Sequence, residues 1–188
     1  MKHPYLSLEE MLDMVEEPAA SSCKRLLQEN QVLFSKALGG SHNHHTWKGG
    51  YLDHIQESMN IGIVLYLAFK EIRPLSFSLS DVLLVLFLHD LEKPWRYTQD
   101  KKTTSEMGTT QKRHLFRSRK IQEYGITLTS DQENAMKYVE GELDDYTPLK
   151  RMMKPLATLC HLADISSARI WFDHPLLEND SWGKRRGS

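Results

Sequence analysis

The chain has 188 residues, 40% of them hydrophobic and 26% charged, which suits one soluble globular domain with a real core. Its 24 basic and 25 acidic residues leave a net charge of −1, which excludes the global basic field of a duplex nucleic-acid binder. The two cysteines, Cys23 and Cys160, make neither a metal pair nor a disulfide framework and read as small core hydrophobes in a reducing compartment.

The residues from Met1 to Tyr5 lack the apolar run of a signal peptide. The most apolar stretch, residues 82–88, is too short to span a bilayer, so the expectation is a soluble, cytoplasmic protein with no membrane partner. From there the pattern is helical almost throughout. Ser7 with Glu10 forms a capping box for a short acidic helix that stops before Pro18. A second helix is expected over 19–38, with Leu26, Leu27, Leu33 and Phe34 on one side and Gly39-Gly40 as its end. After a loop over 41–48, Gly49-Gly50 precede a third helix, 51–72, stopped by Pro74. Ser80 caps a fourth, 81–93, ended by Pro94. This helix is apolar nearly all round, which places it at the centre of the domain. A buried strand has the same look, but the Ser-Asp cap and the length favour helix.

Residues 97–108 are polar and read as a loop. A basic helix follows over 110–124 and meets Gly125. Ser130 and Glu133 form a capping box for a helix ending near Gly141. Thr147-Pro148 opens the last long helix, 148–170, with Pro155 a kink or break within it. The tail from Trp171 reads as loosely held, with a disordered end. The expected organisation is therefore N-terminal helices in 1–32, a core domain over 33–170 and a tail over 171–188, with no internal repeat.

One dipeptide carries chemistry. His89-Asp90 closes the most buried helix, where a charge costs several kcal/mol unless it is paired or bound to a metal. Adjacent helical residues point about 100° apart, so they serve one cation only near a helix terminus, with the ion lying off its end. Two further donors stand elsewhere. His54 follows Gly49-Gly50 by four residues, and Asp164 sits among small and apolar residues in Cys160-His161-Leu162-Ala163-Asp164, where an acid is otherwise hard to justify. Two imidazoles and two carboxylates suit Mn, Co, Ni, Fe, Zn or Mg.

The ordered set of His54, then His89-Asp90, then Asp164 on separate helices resembles the HD-domain superfamily. The glycine-rich lead over 49–54 and the string Leu88-His89-Asp90-Leu91-Glu92-Lys93-Pro94 resemble its first two segments, and His161-Leu162-Ala163-Asp164 resembles its last. The likeness covers about residues 33–169. It implies an all-α, single-domain HD-type bundle with a central divalent metal and hydrolysis of phosphoester or phosphoanhydride bonds in nucleotides. The compact layout is similar to small phage members. Glu92 stands where many members have glycine, and between Asp90 and Asp164 only His114 and His161 occur. That departure disfavours the two-metal branches of the family.

Other residues have two readings each. Lys93 is a phosphate contact or proton donor, or a solvated lysine at a helix end; Glu92 orients or activates water, or makes a surface ion pair. Arg113, Arg117 and Lys120 share a helix face with His114 one step round, a face for a polyphosphate or merely a solvated one. In the loop His42-Asn43-His44-His45-Thr46-Trp47, Trp47 is a platform for a base and Asn43 a reader of its edge, or both only pack, and the three histidines are a further possible metal group. Asp53 and His161 are possible supports of the ligands. The expected activity is a deoxynucleoside triphosphate triphosphohydrolase or 5'-nucleotidase with Mg on the substrate phosphates. Its rivals are a phosphodiesterase of a cyclic or signalling nucleotide and a non-catalytic, metal-stabilised module. Small members of the family are often homo-oligomers, and Trp171, Phe172 and Trp182 would suit an interface.

Overall fold

Reciprocal caps and prolines set the helix ends. The computed structural model describes residues 3–40, 44–97 and 107–172. Its elements are α1 (Leu8–Leu12), α2 (Ala19–Glu29), α3 (Gln31–Phe34), α4 (Gly50–Ile72), α5 (Leu79–Leu88), α6 (Lys93–Arg96), α7 (Thr110–Glu123), α8 (Ser130–Tyr138), a 3-10 turn (Leu143–Asp145) and α9 (Pro155–Ile170). The described residues contain no strand, and the protein is an all-α bundle. None of their helices is long and apolar enough to cross a membrane. The expected readings of Asn43, His42, Trp182 and most of the 97–108 loop lie outside the described residues.

The centre of the bundle is α5, in which Val82, Leu83, Leu84, Val85, Leu86, Phe87 and Leu88 are all buried. Helices α4, α8 and α9 pack around it, and α1 closes one side. Gly62 lets α4 approach closely, since a Cβ there would stand 2.6 Å from Leu86 Cδ1 and 3.1 Å from Val82 Cγ1.

Several boundaries differ from the sequence reading, each for a hydrogen-bonding reason. The expected 19–38 helix breaks at Asn30, whose amide donates to Leu26 O at 2.9 Å and to Tyr124 Oη at 2.8 Å, competing with the helical ladder. Ser78, not Ser80, caps α5, because Asp81 then stands at N3 and accepts from Ser78 N at 2.8 Å in a reciprocal box. Ser80 Oγ instead accepts from Glu16 N at 2.9 Å. Likewise Thr129 with Gln132, not Ser130 with Glu133, boxes α8; the buried Gln132 amide also donates to Asp81 Oδ1 at 2.7 Å and ties the two caps together. Pro94 lies within the first turn of α6 instead of ending a helix, a place where its missing N–H costs nothing. Pro155 opens α9 for the same reason. The stretch before it cannot be helical, because Met152 N and Met153 N donate to Glu142 Oε1 at 3.1 and 2.7 Å.

Candidate metal centre

His54 stands in the second turn of α4, Asp164 in the third turn of α9, His89 at the C-cap of α5 and Asp90 in the turn beyond. Because α5 ends at Leu88, the His-Asp pair stands at a helix terminus, where one cation can lie off the end of both side chains. His54 Nε2 lies 3.3 Å from His89 Nε2, 3.3 Å from Asp90 Oδ2 and 3.0 Å from Asp164 Oδ1. His89 Nε2 lies 3.3 Å from Asp90 Oδ2 and 3.4 Å from Asp164 Oδ1. A cation about 2.0–2.1 Å from its ligands holds neighbouring donors roughly 3.3 Å apart in a tetrahedron and about 2.9 Å apart in an octahedron. His54, His89 and Asp164 fit around one such ion, while Asp90 stands 3.3 Å from both histidines but outside that group.

The hydrogen bonds behind the histidines make the same demand. His89 Nδ1 lies 2.7 Å from Leu86 O, which can only accept, so Nδ1 carries the hydrogen and Nε2 presents a lone pair. Ser167 Oγ gives its single hydrogen to Glu57 Oε2 at 2.7 Å, so at 3.0 Å it must accept from His54 Nδ1. The Nε2 lone pair of His54 therefore also faces inward. Two lone pairs at 3.3 Å, beside two carboxylates, repel unless a positive charge lies among them. Asp90 Oδ2 is buried and takes its charge partner from Lys93.

Without a cation the cluster meets its negative charge with a proton. Burial opposes charging His89, but Asp90 and Asp164 outweigh burial and lift its pKa to about 10. Burial also opposes ionising Asp90, yet Lys93 and His89 hold its carboxyl well below the usual range. Asp164 is held low by His54 and His89, again against burial. An ion entering the site would take the place of the His89 proton.

Asp164, with 16% of its side chain exposed, opens the cluster to a cavity of about 280 Å³. Lys93, Arg96, Arg113 and Arg169 line it, together with Glu92, Glu140, His44 and His161. Lys93 is not a solvated lysine: burial opposes its charge, but Asp90 and Asp164 outweigh that and raise its pKa. Glu92 is not a surface residue either. It is 3% exposed, its Oε2 makes no hydrogen bond, and Arg117 Nη1 lies 3.7 Å away. Burial raises the Glu92 pKa, and Asp90 adds to the effect while Arg117 opposes it.

The expected phosphate face on α7 divides. Arg113 lines the cavity beside Asp164 and donates to Thr110 Oγ1 at 2.8 Å. Arg117 is buried instead, donating to His89 O and, at 3.0 Å, to Met136 O. Lys120 pairs with Glu123 at 2.7 Å and lies over the Trp95 ring, away from the cavity. His114 lines a separate cavity of about 440 Å³, and burial there lowers its pKa. Trp47 donates to Asp53 Oδ2 at 2.7 Å and packs its ring 4.9 Å from His45, outside the walls of the cavity beside Asp164. His161 Nδ1 donates to Val139 O at 2.7 Å.

The sequence reading passed over Glu57, Ser167 and the individual role of His45. Glu57 follows His54 by three residues and Ser167 follows Asp164 by three, so both share a helix face with a ligand. An acid in the apolar middle of α4 was the available signal. Among the described residues the groups able to hold a metal are His54/His89/Asp164, His44/His45/His54 and Asp90/Glu92/Glu140. In the second group, His54 Nδ1 and His45 Nε2 are already engaged by Ser167 and Glu57. Comparison with protein-family models, curated proteins and solved structures finds no match to this chain.

Proposed function

We propose that the chain is a metal-dependent nucleotide phosphohydrolase of the HD type, with His54, His89, Asp90 and Asp164 as the ligands of one divalent cation. The observation that carries this reading is two inward-facing Nε2 lone pairs with two carboxylates each 3.0–3.4 Å from both of them, beside a cavity whose wall sets Lys93, Arg96, Arg113 and Arg169 against four acids. When bound, the ion supplies Lewis acidity toward a phosphoryl oxygen and lowers the pKa of water. The rest of the chemistry falls to side chains.

Lys93, kept charged by Asp90 and Asp164, sets a fixed cation beside the metal for the charge that builds on a transferring phosphoryl group. Arg113 and Arg169 hold the non-reacting phosphate oxygens, and Arg suits two-pronged phosphate contact. A Glu92 carboxylate oxygen lies within 4.8 Å of one from Asp90, which leaves room for one water between them. Burial, with Asp90 adding to it, raises the Glu92 pKa above the usual carboxylate range and makes it a stronger base toward that water. A cavity of about 280 Å³ is at the lower end of small-molecule sites and suits the phosphoribosyl end of a nucleotide.

A phosphate-release screen tests this. The full chain, with Mn, Co, Mg or Zn in turn, is offered nucleoside and deoxynucleoside mono- and triphosphates and cyclic nucleotides. The expected result is metal-dependent release that Asp90→Ala abolishes. Orthophosphate marks a nucleotidase, tripolyphosphate a triphosphohydrolase. Cleavage of a cyclic diester alone replaces both with the phosphodiesterase, and metal uptake without turnover of any substrate overturns the enzyme reading.

A further inference from the structure

We propose that Glu57 is a positioning residue of the metal centre, fixing ligand His54 through Ser167 and cavity-lining His44 through His45, and so setting the affinity for the divalent cation. This rests on the metal reading above and extends it to residues that touch neither ion nor cavity.

Glu57 lies on α4 one turn beyond His54 and is 1% exposed. A carboxylate at such a place is costly unless its oxygens are fully used. Its Oε2 receives Ser167 Oγ at 2.7 Å and His45 Nε2 at 3.1 Å. Each contact fixes the direction of the next. An ionised carboxylate only accepts, so the Ser167 hydrogen is committed to Glu57 and Ser167 can only accept from His54 Nδ1. The other nearby hydroxyl, Ser58 Oγ at 3.5 Å, spends its hydrogen on His54 O at 2.7 Å. Glu57 is thus what holds His54 as the Nδ1–H tautomer, the one that can bind a metal through Nε2.

The second arm follows the same logic. His45 donates from Nε2 to Glu57, so its Nδ1 accepts from His44 Nδ1 at 3.2 Å. That bond turns the His44 ring against His54, with centroids 4.7 Å apart, at the wall of the metal cavity. The backbone supports the arrangement. His45 sits at φ 49° in the left-handed region, with its carbonyl receiving Gly39 N at 2.8 Å. A strained residue in a buried hydrogen bond needs a purpose, and the tautomers of His54 and His44 supply one.

A carboxylate behind a metal-bound imidazole raises its basicity and fixes its ring, and losing such a partner typically weakens metal binding 10- to 100-fold, by order of magnitude. The test uses the full chain, stripped with a chelator and titrated with cobalt(II) chloride. Affinity is read by competition with a chromophoric chelator and the site by the visible cobalt spectrum. Glu57→Gln, Ser167→Ala and the double variant are compared with wild type, with circular dichroism as the folding control. The expected result is affinity about 10- to 100-fold weaker in each single variant and no further loss in the double, because both break one chain of bonds.

If Glu57→Gln does not fold, Ser167→Ala, which removes only a hydroxyl, carries the test. Folded variants that bind cobalt within about threefold of wild type overturn the proposal and leave the metal centre standing, as do losses that simply add. A wild-type chain that takes up no cobalt overturns the metal reading itself, and this inference with it.

Discussion

Arg117 offers the sharpest separation between a surface cation and a structural one. It is 3% exposed, donates to the carbonyls of His89 and Met136, and lies 3.7 Å from the buried Glu92 carboxylate. Arg117→Met keeps most of the volume and removes all three interactions. Hydrogen bonds from a charged group contribute about 1.5–3 kcal/mol each, and breaking a buried ion pair costs about 3–5 kcal/mol. These overlap, because Glu92 can take up a proton instead of standing unpaired, so a loss of about 4 kcal/mol is expected. For a domain of this size that lowers the melting temperature by roughly 8–16 °C. Arg117→Met/Glu92→Gln should regain about 2 kcal/mol, since no buried charge is then left alone. The assay is thermal unfolding by calorimetry, with urea unfolding to check the slope. A variant that melts within about 2 °C of wild type while losing only substrate affinity would show that Arg117 is an exposed phosphate contact and refute the reasoning.

Three further outcomes follow from the same contacts. In metal-stripped protein His89 has a folded pKa of about 10, above an unfolded value of about 6.5. Its stabilisation is complete below about pH 6.5 and is lost as pH rises through about 10, so the melting temperature should fall across that window; a flat profile counts against a protonated His89. The lowered Asp90 and Asp164 act at the other end, their stabilisation being lost as pH falls below the ordinary carboxylate range. Gly50→Ala should cost about 2 kcal/mol and weaken cobalt binding, because its Cβ would overlap the backbone carbonyl of His45, which cannot yield without leaving Glu57; wild-type melting and affinity together would exclude this. Finally, burial pushes the Cys23 thiol up to about 12 and Cys160 higher still. Neither should react with a disulfide reagent until guanidinium unfolds the chain, when both titrate; reaction in the native state contradicts their burial.

The parts of the molecule legible in the sequence are those where burial makes a residue expensive. An apolar run from Val82 to Leu88 can only be central, and a His-Asp pair at its end demands compensation, so α5 and its two donors could be read without a structure. The box of Ser7 with Glu10 was read in place, but the caps of α5 and α8 were read one or two residues off, because Ser78 and Ser80, or Thr129 and Ser130, are equivalent until Asp81 and Gln132 choose between them by bonding to each other. Helical spacing put Arg113, Arg117 and Lys120 on one face, yet a face is wide enough for one to line a cavity, one to enter the core and one to lie over Trp95. Ser167 carries no sequence signature and Glu57 only that of an acid in a buried helix, since their shared role lies in a bond that spans 110 residues.

That distance bears on how fold and site depend on one another. His54 and His89 are 35 residues apart, and each stands on a helix packed against the other, with Asp164 delivered by the helix that packs on both. An ion bound there closes two long loops at once and neutralises charges that the core otherwise holds at a cost. Binding to the folded chain alone adds stability in proportion to the logarithm of metal concentration over its dissociation constant. A cation bound at the end of α5 would relieve the burial of His89 and Asp90 as well as serve the proposed catalysis. On this argument a variant that loses the metal loses stability too, and the two losses should scale together across His54→Ala, Asp90→Ala and Asp164→Ala. The Arg117→Met variant should instead lose stability and keep its cobalt, because it braces the His89 carbonyl and not the Nε2 lone pair.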